Sequence, residues 1–352
     1  MQKQNLKGLS PEELEKFFLK SGEKRFRADQ LFAWMYRRNV INFDDMTDIS
    51  KNLKAKLSEI AFIGEISLKK IIKSQDSTTQ KFLFTLSDGH QIESVLMFED
   101  KRTTVCLSSQ VGCALGCRFC ATASLGFKRN LEAWEIVEQL LAIKRITGAE
   151  VTNIVLMGMG EPFLNYDNVI KACYLMNHKD GIAIGQRKIV ISTSGIVPKL
   201  IQYSDESHPF KLAISLNAPT NATRNEIMPI NKKYPLQDLI KAARYYSRKS
   251  RHRITFEYVL LSGFNDSPTD AENLKKLLKE FPSKINLIPL NEVSRFGKRP
   301  EAIDIQRFYE YFLNFPAVVS IRWSKGTDIQ AACGQLAAAQ FSFIHESQNL
   351  PD

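Results

Sequence analysis

The chain has 352 residues, enough for one large domain plus a smaller one, and its 44% hydrophobic and 24% charged content excludes extended disorder. No apolar run approaches the ~18–20 residues of a membrane span, and no apolar signal core follows Met1, so a cytoplasmic protein with no membrane partner is expected. A net charge of +10 favours a polyanionic partner or a merely solvated surface, and six cysteines, three of them within eight residues, indicate a metal site and not a disulfide framework.

Ser10-Pro11-Glu12-Glu13 predicts a helix start, with a serine cap, proline at the first helical position and a capping-box glutamate. Leu14, Phe17, Phe18 and Leu19 supply its apolar stripe. A second helix is predicted over 28–37, and a third follows Ser50 with Leu53, Leu57 and Ile60 at helical spacing. Strand-like runs then cover 65–73, 80–86 and 91–98, the last two joined by the turn signal Ser87-Asp88-Gly89. Residues 1–64 thus read as a small helical accessory domain and 65–98 as an antiparallel strand linker.

From about residue 100, β-branched apolar runs over 103–107, 153–156, 188–191, 212–216, 254–261, 285–288 and 318–321 alternate with helical patterns. The helices are predicted over 131–147, 166–176, 236–247, 271–281 and 303–312. Repeated strand–helix units imply a parallel sheet with right-handed crossovers, so the fold class is α/β. Six or seven units make an open or partial barrel over 99–328, with chemistry on the loops after the strands. A C-terminal segment, 329–352, follows.

Cys113, Cys117 and Cys120 form a C-x₃-C-x₂-C arrangement after the first of these strands. Thiolates are soft ligands suited to iron–sulfur clusters and to zinc. A filled site of either kind normally takes four protein ligands, and no fourth cysteine is close: Cys106 lies seven residues upstream, Cys173 and Cys333 far downstream. Three ligands on a four-iron cluster leave one iron open, whereas a zinc site would need a distant fourth ligand. Met157-Gly158-Met159-Gly160-Glu161-Pro162 follows the second strand, where glycine admits a close ligand and a carboxylate binds an ammonium group. Ser192 and Ser215 end later strands, as cofactor contacts or plain turn formers.

The cysteine motif and the Gly160-Glu161-Pro162 element resemble those of radical S-adenosylmethionine (SAM) enzymes. Further segments narrow the likeness: 106–113, 126–131, Ser215-Leu216-Asn217-Ala218-Pro219, 228–234, 286–289 and Ala331-Ala332-Cys333-Gly334-Gln335-Leu336 resemble the RlmN/Cfr family of RNA adenine methyltransferases. The resemblance spans nearly the whole chain and implies a radical SAM partial (β/α)6 barrel with a small N-terminal helical domain. It implies a [4Fe-4S] cluster on Cys113, Cys117 and Cys120, with SAM held by Gly160, Glu161, Ser192, Ser215, Leu216, Asn217 and Asn291. It further implies that Cys333 carries the methyl group as S-methylcysteine. A second SAM then yields the radical that activates it, Glu93 accepts the ring proton, and Cys106 resolves the protein–RNA adduct through a transient disulfide with Cys333. Storage on a thiol answers a chemical need, because adenine C2 is not nucleophilic.

The implied activity is methylation of C2 of an adenosine in the peptidyl-transferase region of 23S rRNA and in certain tRNAs. An external electron donor of the flavodoxin type is implied, and a monomer is the default. The alternatives are a Cfr-type C8 methyltransferase that confers antibiotic resistance, a radical SAM enzyme with a non-RNA substrate, and a non-catalytic zinc protein that binds RNA. The basic stretch 241–253, with Tyr245 and Tyr246, suits phosphate contacts and base stacking, or else is the solvated face of a crossover helix. Lys24, Arg25, Arg27, Arg37 and Arg38 form a second candidate surface, and Lys128 and Arg129 lie near the cysteine loop.

Overall fold

Ser10 caps the first helix through a reciprocal pair: its Oγ accepts from Glu13 N at 3.3 Å, and Glu13 Oε2 accepts from Ser10 N at 2.6 Å. A computed structural model describes residues 3–280, 282–291 and 296–337. Helix α1 (Pro11–Lys20) buries Leu14 and Phe18. Helix α2 (Phe26–Phe32) continues into a π-helical turn, Ala33–Arg37, and α3 (Lys51–Ile60) starts at the Ser50 cap. Strand β1 (Gln4–Asn5) pairs in parallel with β2 (Ala61–Phe62), closing the two ends of this helical unit together. Two-residue strands carry too little pattern to be read from sequence.

Strands β3 (Ser67–Lys73), β4 (Thr79–Thr85) and β5 (Gln91–Glu99) form the expected antiparallel unit. Strand β5 also pairs with β6 (Arg102–Cys106), so this unit is continuous with the barrel sheet. The alternating region then supplies β9 (Asn153–Leu156), β10 (Ile189–Thr193), β11 (Lys211–Ser215), β12 (Ile254–Leu260), β13 (Ser283–Pro289) and β14 (Val318–Ile321). A short ribbon of β7 (Gln110–Gly112) and β8 (Phe127–Asn130) intervenes between β6 and β9. Ten strands make one sheet in the order β14-β13-β12-β11-β10-β9-β6-β5-β4-β3. Strands β6 and β9 to β14 are parallel and in sequence order, the partial barrel expected of strand–helix repeats.

The crossovers are α5 (Ala133–Thr147), α6 (Tyr166–Asn177), α7 (Val197–Asp205), α9 (Leu236–Lys249), α10 (Pro268–Leu278) and α11 (Ala302–Glu310), with α4 (Ala121–Ser124) and α8 (Asn221–Ile227) as short additions in the loops. Ile154, Ile191, Leu212, Phe256 and Leu287 are fully buried between sheet and helices. Burial of such side chains contributes about 1.5–3 kcal/mol each, which is why these strands read as near-continuous apolar runs. No helix among the described residues is long and apolar enough to cross a membrane. The C-terminal segment expected over 329–352 is described as far as residue 337, and its remainder lies outside the described residues.

Candidate active site

The ribbon β7–β8 clamps the cysteine loop at its base. Gly112 has φ +73° and packs so tightly on Gly126 that a Cβ would meet the Gly126 carbonyl oxygen at 1.8 Å. Cys113 N donates to that same oxygen at 3.0 Å. Farther along, Cys120 N donates to Cys117 O at 3.1 Å, and Arg118 N reaches Ile227 O at 3.0 Å. Cys113, Cys117 and Cys120 line a single cleft of about 990 Å³ at the C-terminal ends of the parallel strands. Burial pushes all three thiols up, Cys113 to about 12. No group of three or more His, Cys, Asp or Glu among the described residues is arranged to hold a single metal ion. Three cysteine thiols on one cleft are a soft donor set of the kind that suits an iron–sulfur cluster.

Opposite the loop, Gly160 has φ +103°, and a Cβ there would overlap the Gln110 side chain at 2.6 Å. Glu161 is 2% exposed; its Oε2 accepts from Ser194 N at 2.7 Å and its Oε1 from Phe163 N at 3.0 Å. Burial raises its carboxyl above the ordinary range despite those bonds. Ser192 and Ser215 line the cleft. Asn217 also lines it, at φ +58°, with Oδ1 accepting from Val259 N at 3.0 Å. Leu216 does not line the cleft: its side chain is fully buried, and its backbone N donates to Glu257 O at 2.9 Å. Arg224, fully buried, locks this rim by donating to Leu216 O at 2.9 Å and Ser194 O at 2.7 Å.

The segment around Cys333 docks on the cysteine loop. Ala121 N donates to Gly334 O at 2.7 Å, and Thr122 Oγ1 donates to Leu336 O at 2.7 Å. Asn291 Nδ2 donates to Cys333 O at 3.0 Å, while its Oδ1 is buried without a partner among the described residues. Cys333 is exposed and lines the cleft. Cys106, at the end of β6, is buried beside it and does not line the cleft; burial holds its thiol up to about 12. Both thiols lie within electrostatic reach of Arg322, whose pKa is raised chiefly by Cys333. All six cysteines are free, so the Cys106–Cys333 disulfide is not formed here.

Glu93 is fully buried on β5 and outside the cleft lining. Its Oε2 accepts from Ala337 N at 2.7 Å, and its Oε1 lies 3.2 Å from Lys81 Nζ. Burial raises the Glu93 carboxyl, and it lowers Lys81. Sequence reasoning missed Glu257 and Arg322, which both line the cleft. For Glu257 the signal was available: a carboxylate in the middle of the apolar run Phe256-Glu257-Tyr258-Val259.

The basic stretch on α9 is committed within the fold in part, with Lys241, Arg248, Arg251 and Arg253 exposed. Arg244 pairs with Glu280 at 2.7 Å, Lys249 and Tyr245 both bond Asp205, and Tyr246 is buried. Arg129 is likewise held by both oxygens of Glu135, at 2.7 and 2.8 Å. Phe127, beside Lys128, is 44% exposed near the mouth of the cysteine loop.

Residues 4–63 match the family described as the ribosomal RNA large subunit methyltransferase N-terminal domain, and residues 107–277 match the radical SAM superfamily. The dual-specificity RNA methyltransferase RlmN of Geobacter sulfurreducens is 48% identical over 94% of this chain and 91% of its own. The enzyme of the same name from Pelobacter propionicus is 43% identical, covering 95% and 96%. The crystal structure of a radical SAM methyltransferase from Sphaerobacter thermophilus superposes with a TM-score of 0.90 at 42% identity, over 95% of this chain and 99% of that one. With both family segments in place and near-complete coverage at this identity, the chain belongs to the RlmN family of radical SAM RNA methyltransferases.

Proposed function

We propose that this RNA methyltransferase adds a methyl group to C2 of an adenosine in 23S rRNA and in tRNA, by way of Cys333. The observation that carries the reading is the docking of the Cys333 segment on the cysteine loop, which puts the exposed thiol in the same cleft as Cys113, Cys117 and Cys120. Those three residues would hold a [4Fe-4S] cluster, and Gly160, Glu161, Ser192, Ser215, Asn217 and Asn291 the SAM, with Leu216 contributing backbone alone. When bound, the cluster and SAM supply the electron and the hydrogen-abstracting radical that activate a methyl group.

Cys333 takes the methyl through its sulfur, and its exposed place in the cleft leaves that sulfur open to the donor. Asn291 fixes the backbone of Cys333 while the base approaches. Glu93 accepts the proton from the ring carbon; burial raises its carboxyl above the ordinary range, which strengthens it as a base, and Lys81 counters part of that rise. Cys106 releases the product: its thiolate attacks the Cys333 sulfur to form the disulfide, and the methylene carbon leaves with the carbon–sulfur electron pair and takes up a proton to become the methyl group. The transient disulfide is part of this proposal.

Residues 1–64 act as the RNA-binding accessory domain, and the target nucleotide is unstacked to reach the cleft. A flavodoxin-type donor provides the electron, and the protein works as a monomer in the cytoplasm. The test is anaerobic incubation of the cluster-loaded protein with SAM, reductant and protein-free 23S rRNA or tRNA, followed by nucleoside analysis. 2-Methyladenosine is expected, and 8-methyladenosine or an unmodified adenine would overturn the assignment.

A further inference from the structure

Glu257 lies on the wall of the cleft, 6% exposed, in the middle of β12. Its Oε1 accepts from Asn286 Nδ2 at 3.0 Å, and Asn286 Oδ1 accepts from Ser320 Oγ at 2.9 Å. Register explains the row. Ser215 pairs with Glu257, Glu257 with Asn286, and Asn286 with Ser320, across four successive parallel strands. Register partners stand side by side on one face of a sheet, about 4.8 Å apart. The row thus fixes the carboxylate by one oxygen on the β13 side, with Ser215 its register neighbour on the β11 side. That second oxygen, Oε2, is buried with no hydrogen-bond partner among the described residues. Arg322 reaches Glu257 only through its charge. A carboxylate oxygen withdrawn from water without a donor is unfavourable, so the site favours a ligand that brings one.

We propose that Glu257 is a further SAM-binding residue, its Oε2 accepting a ribose hydroxyl while Ser215 holds the neighbouring hydroxyl of the same diol. The inference rests on the reading of this cleft as the SAM site. Two features favour a diol over an ammonium group. Glu161, the carboxylate suited to an ammonium, is anchored three strands away, after β9, so the sugar of an extended ligand falls farther round the rim. Ser215 and Glu257, side by side on adjacent strands, are also placed to bond one each of two hydroxyls on neighbouring carbons.

The test is equilibrium binding of S-adenosylhomocysteine and its 2′-deoxy and 3′-deoxy forms to the anaerobic, cluster-loaded protein. For the unaltered protein, loss of the hydroxyl facing Glu257 should weaken binding roughly tenfold to hundredfold. Glu257→Gln should bind S-adenosylhomocysteine more weakly by a similar factor and discriminate much less against that same deoxy form. Glu257→Asp, which keeps the charge and withdraws it by one methylene, gives an independent readout should the glutamine variant fold poorly, and it too should lose discrimination. Equal binding of all three ligands by the unaltered protein, or full discrimination retained by a folded variant, overturns the role of Glu257. Failure of the unaltered protein to bind S-adenosylhomocysteine at all would instead overturn the SAM-site reading beneath it.

Discussion

The backbone N–H of Ala121 donates to the carbonyl of Gly334 at 2.7 Å, tying the cysteine loop to the segment that carries the exposed thiol. Ala121 opens the four-residue helix α4 and Gly334 lies in a loop, neither with strand or long-helix support, so the order of one depends on the order of the other. Removing the cluster by chelation should therefore loosen residues around Cys333 as well as the loop itself. Hydrogen exchange of the loaded and stripped protein checks this: protection near Gly334 and Leu336 should fall on stripping, with the α10 and β12 amides unchanged.

Replacing Cys106 with Ala should leave methylation of Cys333 intact but trap RNA on the protein, because the adduct has no thiol to displace it. Denaturing gels with labelled RNA report the adduct, and its appearance should require Cys333. Normal turnover without trapped RNA would remove the resolving role.

Cys106 and Cys333 should differ sharply toward iodoacetamide. Burial holds the Cys106 thiol up to about 12, so at neutral pH it is protonated and shielded. Cys333 is exposed and should label first. Raising the pH increases the thiolate fraction of Cys106, so its labelling should grow toward strongly alkaline solution. Peptide mass mapping across pH measures both.

Glu93 must be ionised to accept a proton, and burial raises its pKa. Single-turnover methylation should therefore fall as pH drops through a value above the ordinary carboxylate range. Lys81 counters that rise, so Lys81→Met should move the acid limb to higher pH. An unmoved limb would assign it to another group.

Gly160→Ala should destabilise the protein even without ligand. A side chain at φ +103° is strained, about 1–3 kcal/mol, and its Cβ would overlap Gln110. Thermal melts in the absence of SAM should record the loss; an unchanged midpoint would mean that the loop adapts.

The sequence by itself determined the parallel core, because long alternating apolar runs admit few other arrangements: the strands Asn153–Leu156 and Val318–Ile321 occur as read. It also marked Cys113, Cys117 and Cys120 by spacing, and Gly160-Glu161 by type. The family resemblance added Glu93, Cys106 and Cys333, whose types alone are ordinary. Only the tertiary structure decided that Leu216 points into the core, that Glu93 is covered by Ala337, and that Tyr246 and Arg244 are engaged within the fold. It alone produced the row from Ser215 to Ser320, whose members are separated by tens of residues in the chain. The reason is physical: periodicity records which face of an element is buried, a local property. The partner of a buried polar atom is set by register between distant strands, which no local pattern encodes.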